Sequence, residues 1–429
     1  MKSSFRFDGI DLARGLAIVG MVFAHLGPTG FAGGVVADYT TTAVAGYPSA
    51  LFAVLAGVSL GLFTERGAAD PVRTRLATLV RGVILLVAGT LMSMVQSTIA
   101  IVLTAIAAIY LLLFWLPRCK TWVISVLVAV LAAISSVGFV LVELVPLGFE
   151  LFMPPYPILA WLTYGSVGVL VHRFLVGNTK SQAIAVVPAL VVAAVGFVIR
   201  VNNAAVVPDE ALAEATESQI DSDPGAQSLL TQSFEPHTGM FGDLLASIAF
   251  AIAVICLCCL LCRVRWVNIA SYPLRAVGTM ALTTYVAHVF IAGFFMLGGV
   301  PLEDAEVAKA ETVADGQDVE DASPAESDPS FERYQKIIQE ADTWQEYDEL
   351  TAEFWDNKVT QGWGPSEGEG ELGAKGSGQL NDWATAAWNA LGLIAFAALW
   401  KAFFRRGPLE WLVARLISKA VLRKEANMQ

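Results

Sequence analysis

Gly9-Ile10-Asp11-Leu12-Ala13-Arg14-Gly15-Leu16-Ala17-Ile18-Val19-Gly20-Met21-Val22-Phe23-Ala24-His25-Leu26 is apolar enough and long enough to cross about 30 Å of hydrocarbon as a helix. Nine more runs of this kind follow, at 45–63, 76–96, 98–116, 123–145, 157–171, 183–201, 241–262, 278–297 and 383–404. The third and fourth nearly touch and read as a hairpin. The first run holds Asp11 and Arg14 and is followed by more spans, so it reads as an anchor and not a cleavable leader. Composition agrees. The 429 residues are 55% hydrophobic and 15% charged, with mean hydropathy +0.60, against about 25% charged in a soluble protein. This excludes an ordinary water-soluble globule and a disordered scaffold. A net charge of -12 without a basic stripe excludes a nucleic-acid binder.

Ten spans put both chain ends on one side. Most of the 27 basic residues then fall on that side, in the short loops and the tail, and most of the 39 acidic residues on the other. The positive-inside rule makes the basic side cytoplasmic. The expectation is an all-α polytopic membrane protein of about ten transmembrane helices, with both termini cytoplasmic. Its core is 1–297, including an outer loop at 202–240. An acidic extracytoplasmic insertion follows at 298–382, then the last span and a basic cytoplasmic tail at 383–429. Within the insertion, 303–328 reads as solvated. Residues 331–355 have near-helical apolar spacing, and Trp344, Trp355 and Trp363 offer an aromatic surface. No internal repeat of the secondary-transporter kind is visible.

Charges inside a span are costly and default to function. Arg14 and His25 are eleven residues apart, about 20° beyond three full turns, so they share a helical face and lie about 16 Å apart along it. Asp11, one turn before Arg14, joins that face and suits an ion pair. Arginine suits phosphate, and a histidine is the usual general base and a possible acyl acceptor. A molecule such as coenzyme A, with phosphates at one end and a thioester at the other, matches that separation. The bland reading makes Arg14 a snorkelling anchor and His25 a packing residue. Arg81 lies about one turn inside the third run, and Arg73 and Arg75 line the preceding loop. His288 and Tyr285 sit in the ninth run. His237 stands just outside the eighth, placed for an extracellular acceptor or for a helix cap. Cys256, Cys258, Cys259 and Cys262 share one apolar run and read as packed thiols. No metal-ligand spacing and no phosphate-cradling glycine loop appears.

At these residues the chain resembles the membrane acyltransferase superfamily, which holds the acyltransferase-3 proteins and the heparan-glucosaminide N-acetyltransferase relatives. The likeness rests on Arg14 and His25 in the first span, the stretch Leu51-Phe52-Ala53-Val54-Leu55-Ala56-Gly57-Val58-Ser59-Leu60 of the second, and Arg73 and Arg75. Gly278-Thr279-Met280-Ala281-Leu282-Thr283-Thr284-Tyr285 and Gly407-Pro408-Leu409-Glu410-Trp411-Leu412 are similar to a bacterial ten-span branch. The resemblance implies a plasma-membrane transferase carrying an acyl group, usually acetyl, from cytosolic acetyl-CoA to a saccharide or glycolipid of the cell envelope. His25 would be catalytic, with Arg14, Arg81, Arg73 and Arg75 holding the donor. Asp11, His237, His288 and Tyr285 are substrate-side candidates. No metal and no nucleic acid is expected. The arginine-rich, Ala- and Val-rich composition fits a GC-rich genome, where a mycolate-bearing trehalose is an acceptor to consider. The alternative is a transporter or flippase for an envelope lipid, with Asp11, Arg14, His25 and His288 as its path.

Overall fold

The computed structural model describes residues 7–27, 39–95, 99–144, 156–204, 233–296, 383–404 and 406–426. The insertion at 298–382, with its expected helix and tryptophans, lies outside them, as does 205–232 of the other outer loop. No strand occurs among the described residues. The helices are α1 Asp8–Leu26, α2 Tyr47–Arg66, α3 Pro71–Val95, α4 Val102–Leu112, α5 Thr121–Leu144, α6 Ile158–Phe174, α7 Thr179–Ala204 and α8 Phe241–Leu261. Then come α9 Arg265–Ala270, α10 Tyr272–Thr279, α11 Ala281–Met296, α12 Trp383–Phe403 and α13 Pro408–Ala426.

Each of the ten apolar runs falls on a helix. Among the described residues, seven helices are long and apolar enough to cross a membrane, and α10 with α11 makes an eighth if the bent pair is one span. Three runs differ from expectation, the sixth because α6 has only 17 residues and falls among the shorter apolar helices. The fourth contracts to the eleven residues of α4. Its start is fixed where the Val102 N–H donates to the Tyr285 hydroxyl at 2.9 Å, and Pro117 follows in a 3-10 turn. The ninth breaks at Met280, where α10 and α11 meet at 91°.

Burial explains which helices are central. About two thirds of the apolar stretches of α1 and α2 are buried (61% and 67%), against 22% for α5, α7 and α12. The outer helices present Val126, Val130, Ile134, Ile184, Val187, Val191 and Leu399 outward, as lipid requires and water would not. The inner helix α1 packs against α2, α8, α10, α11 and α12. It can do so because glycines let backbones meet. A Cβ on Gly278 would lie 1.7 Å from the Asp11 carbonyl oxygen, and one on Gly15 2.1 Å from that of Leu274. The same device joins α2 to α6, where a Cβ on Gly168 would sit 2.1 Å from the Val54 carbonyl oxygen. Small residues at close crossings are how membrane helices gain packing without a hydrophobic drive between them.

Candidate active site

Between α1, α2, α3, α4, α11 and α13 lies a cavity of about 760 Å³, within the ~300–1,000 Å³ of ordinary ligand sites. Its two ends differ in chemistry. One end carries Arg14, Arg66, Arg73, Arg81 and Arg406. Arg66, Arg73 and Arg406 are exposed at the opening, while Arg14 and Arg81 are drawn inside. The other end is walled by Phe52, Leu55, Leu103, Ile106, Leu282 and Tyr285.

The inner arginines are held in place. Arg14 donates from Nη1 to Asp11 Oδ1 at 3.0 Å and from Nη2 to Ser59 Oγ at 2.7 Å. Asp11 therefore orients a guanidinium whose face the cavity shares. The Arg81 guanidinium lies 5.3 Å from the Phe63 ring and 5.9 Å from the Tyr110 ring. It points inward along aromatic faces and does not snorkel to lipid. Arg75 does not line the cavity; its charge acts on Arg118 instead. Arg66 and Arg406 escaped the sequence reading because their side chains come from a helix end and from a loop more than 300 residues later.

From the apolar end four rings follow one another, two in the cavity wall and two behind it. Phe52 stacks on Tyr285 with centroids 6.1 Å apart, the Tyr285 ring meets His288 edge-on at 5.1 Å, and His288 stacks on His25 at 5.8 Å with 16° between planes. His288 is 2% exposed, and neither of its ring nitrogens makes a well-formed hydrogen bond among the described residues. The Tyr285 hydroxyl accepts from Val102. His25 thus lies two rings behind the cavity wall and is not part of the lining. His288, one candidate among several in the sequence, is the link between them.

His237 is not one of the stacked rings, but it stands close enough for its charge to act on His25. It takes a left-handed backbone (φ 68°) and lines a small crevice with Ser49, Trp161, Tyr164 and Asp243. Its ring lies 6.2 Å from that of Tyr156. Beneath it is a pair the sequence reading missed. Arg200 Nη2 meets Asp243 Oδ1 at 2.6 Å with both side chains 2% exposed. The same guanidinium donates to the Phe234 and Ala45 carbonyls and lies 4.1 Å from the Tyr47 ring. Such a pair ties α7 to α8 and the loop before α8. Its sequence signal was an arginine and an aspartate at the same end of two spans.

Cys256, Cys258 and Cys262 are packed in the core. Among the described residues no group of three or more His, Cys, Asp or Glu side chains is placed to hold a metal ion.

Residues 6–204 match the family described as heparan-alpha-glucosaminide N-acetyltransferase, catalytic. Residues 225–304 match a second family, described as a protein of unknown function (DUF418). No curated protein and no solved structure matches the chain. The first match holds Arg14, His25, Arg66, Arg73 and Arg81; the second holds Tyr285 and His288.

Proposed function

The chain belongs to the heparan-alpha-glucosaminide N-acetyltransferase-like membrane acyltransferase superfamily, and from that premise we propose that it moves an acetyl group from acetyl-CoA to an acceptor hydroxyl of a cell-envelope saccharide or glycolipid. The observation that carries this reading is the polarity of the cavity. Five guanidinium groups gather at one end, and an apolar throat closes on Tyr285, one ring from His288 and two from His25.

The donor suits those residues. Its phosphates find fixed cations at Arg14 and Arg81 and further ones at the opening, where arginine's planar fork favours phosphate. Its pantetheine arm and acetyl group find an apolar wall. The charge pattern supports placing the arginine end, and both termini, on the cytoplasmic side of the plasma membrane. Acceptor then approaches from the His25 side. Tyr285 and His288 stand between the cavity and His25, so the acetyl group meets His25 only when these rings move aside; His25 then takes the hydroxyl proton, the oxygen attacks the thioester carbonyl, and the carbon–sulfur bond breaks as the thiolate leaves. The proton returns from His25 to the sulfur, so no net charge accumulates in the bundle. The Tyr285 O–H, at the boundary, is placed to donate to the carbonyl oxygen as charge develops there. His288, stacked on His25, keeps that imidazole oriented.

The test is calorimetric titration of the purified full chain with acetyl-CoA, paired with mass spectrometry of envelope lipids after incubation; trehalose mycolates are the first acceptors to examine. Donor binding by the parent, and loss of acetyl transfer with retained binding in His25→Ala, support the reading. Absence of acetyl-CoA binding would overturn it in favour of lipid transport, and parent-rate transfer by His25→Ala would move the chemistry elsewhere.

A further inference from the structure

The segment Gly407-Pro408-Leu409-Glu410-Trp411-Leu412 lies outside both family matches, and the chemistry above leaves it without a task. The structure supplies one. It opens α13, whose Glu410, Val413, Ala414 and Ile417 line the cavity. The first turn of α13 also reaches the start of α11. One oxygen of Glu410 accepts from the backbone N–H groups of Leu282 (2.7 Å) and Thr283 (3.1 Å), and the other from Thr283 Oγ1 (2.6 Å). Thr283 Oγ1 in turn accepts from the Leu409 N–H at 3.1 Å. Each helix satisfies the other's first turn.

A helix start has orphan N–H donors, and a side chain just before it normally accepts from them. At the break before α11 stands Met280, which has no oxygen to offer. The acceptor is borrowed instead from a helix that begins 127 residues later than Ala281. Its negative charge also suits the positive end of the helix dipole. Gly407 is part of the fit: a Cβ there would lie 2.2 Å from Glu410 Oε2. Pro408 begins α13, where its missing N–H costs nothing.

What hangs from the held turn is the ring ladder. Tyr285 and His288 lie two and five residues past Thr283 on α11. We propose that Glu410 is a positioning residue, a carboxylate supplied by α13 that sets the register of α11 and so holds Tyr285 against the cavity and His288 against His25. The consequence for catalysis rests on the cavity being the acyl-donor site; the consequence for α11 does not.

Both parts are tested on the full chain with Glu410→Ala and Glu410→Gln. Hydrogen exchange of peptides covering 281–289 reads the register without any donor, and kcat against acetyl-CoA Kd reads the chemistry. Glu410→Ala is expected to speed exchange over 281–289 by roughly tenfold or more while leaving 8–26 unchanged. It lowers kcat by roughly 30-fold or more with Kd held within about threefold, since misplacing a reacting group costs rate more than binding. Glu410→Gln keeps a carbonyl acceptor and recovers most of both. Parent-like exchange in Glu410→Ala would overturn the proposal, as would equal loss of kcat, donor affinity and melting temperature in both variants. If the parent fails to bind acetyl-CoA, the exchange result still decides whether Glu410 holds α11, and only the donor reading falls.

Discussion

Two imidazoles with different surroundings set the residue-scale chemistry. His288 is sealed between Tyr285 and His25 and, among the described residues, has no partner of good geometry for either nitrogen. Burying a polar ring this way costs stability, so its replacement separates packing from chemistry. His288→Phe keeps the stacking volume and should melt no lower than the parent, yet lose acetyl transfer by about tenfold or more through a less ordered His25. A stopped acetyl-transfer assay beside a thermal melt checks this. Arg81 makes the opposite case. It is held by ring faces, so Arg81→Gln should raise the acetyl-CoA Kd by roughly tenfold, the worth of one charge-assisted contact, with kcat nearly intact. The Arg200–Asp243 pair is structural. Removing one partner strands the other, so Arg200→Met should cost about 3–5 kcal/mol, and adding Asp243→Leu should return much of that. Melting temperatures of the two single variants and the double variant close that cycle.

Helices and their crossings were legible to different degrees. Apolar runs are a one-dimensional signal, and each of the ten lies on a helix. The right angle at Met280 left no trace in hydropathy, because Gly278-Thr279-Met280-Ala281 is as apolar as its flanks and the acceptor that starts α11 lies in a distant helix. The Arg14–Asp11 pairing was readable from spacing alone, whereas the ring ladder was not, since Phe52, Tyr285 and His25 come from three helices. The close crossings make the element-scale prediction. Gly168→Ala pushes a methyl group into the Val54 carbonyl and should separate α2 from α6, at a cost of about 1–3 kcal/mol by overpacking. Gly177→Ala, at a left-handed turn (φ 85°) with open space around it, pays only local backbone strain, of order 1 kcal/mol. Thermal melts of the two variants rank them.

At the scale of the whole molecule, every residue lining the cavity belongs to the compact unit Met1–Met296 with Leu380–Gln429. Replacing 298–379 by a flexible linker should therefore leave acetyl-CoA affinity within about threefold of the parent; calorimetry on the shortened chain measures it. Charge alone gives an expected orientation for the bundle, but it gives no acceptor, because recognition of a saccharide rests on side chains that no periodicity marks. The wall contributed by Pro408–Ala426 carries one last consequence. It is the final part of the cavity to be translated. A nascent chain with every earlier helix already inserted still has its cavity open along that side and the start of α11 unheld. A chain cut after Phe404 is therefore expected to keep the earlier helices but to lack this wall and the hold on α11.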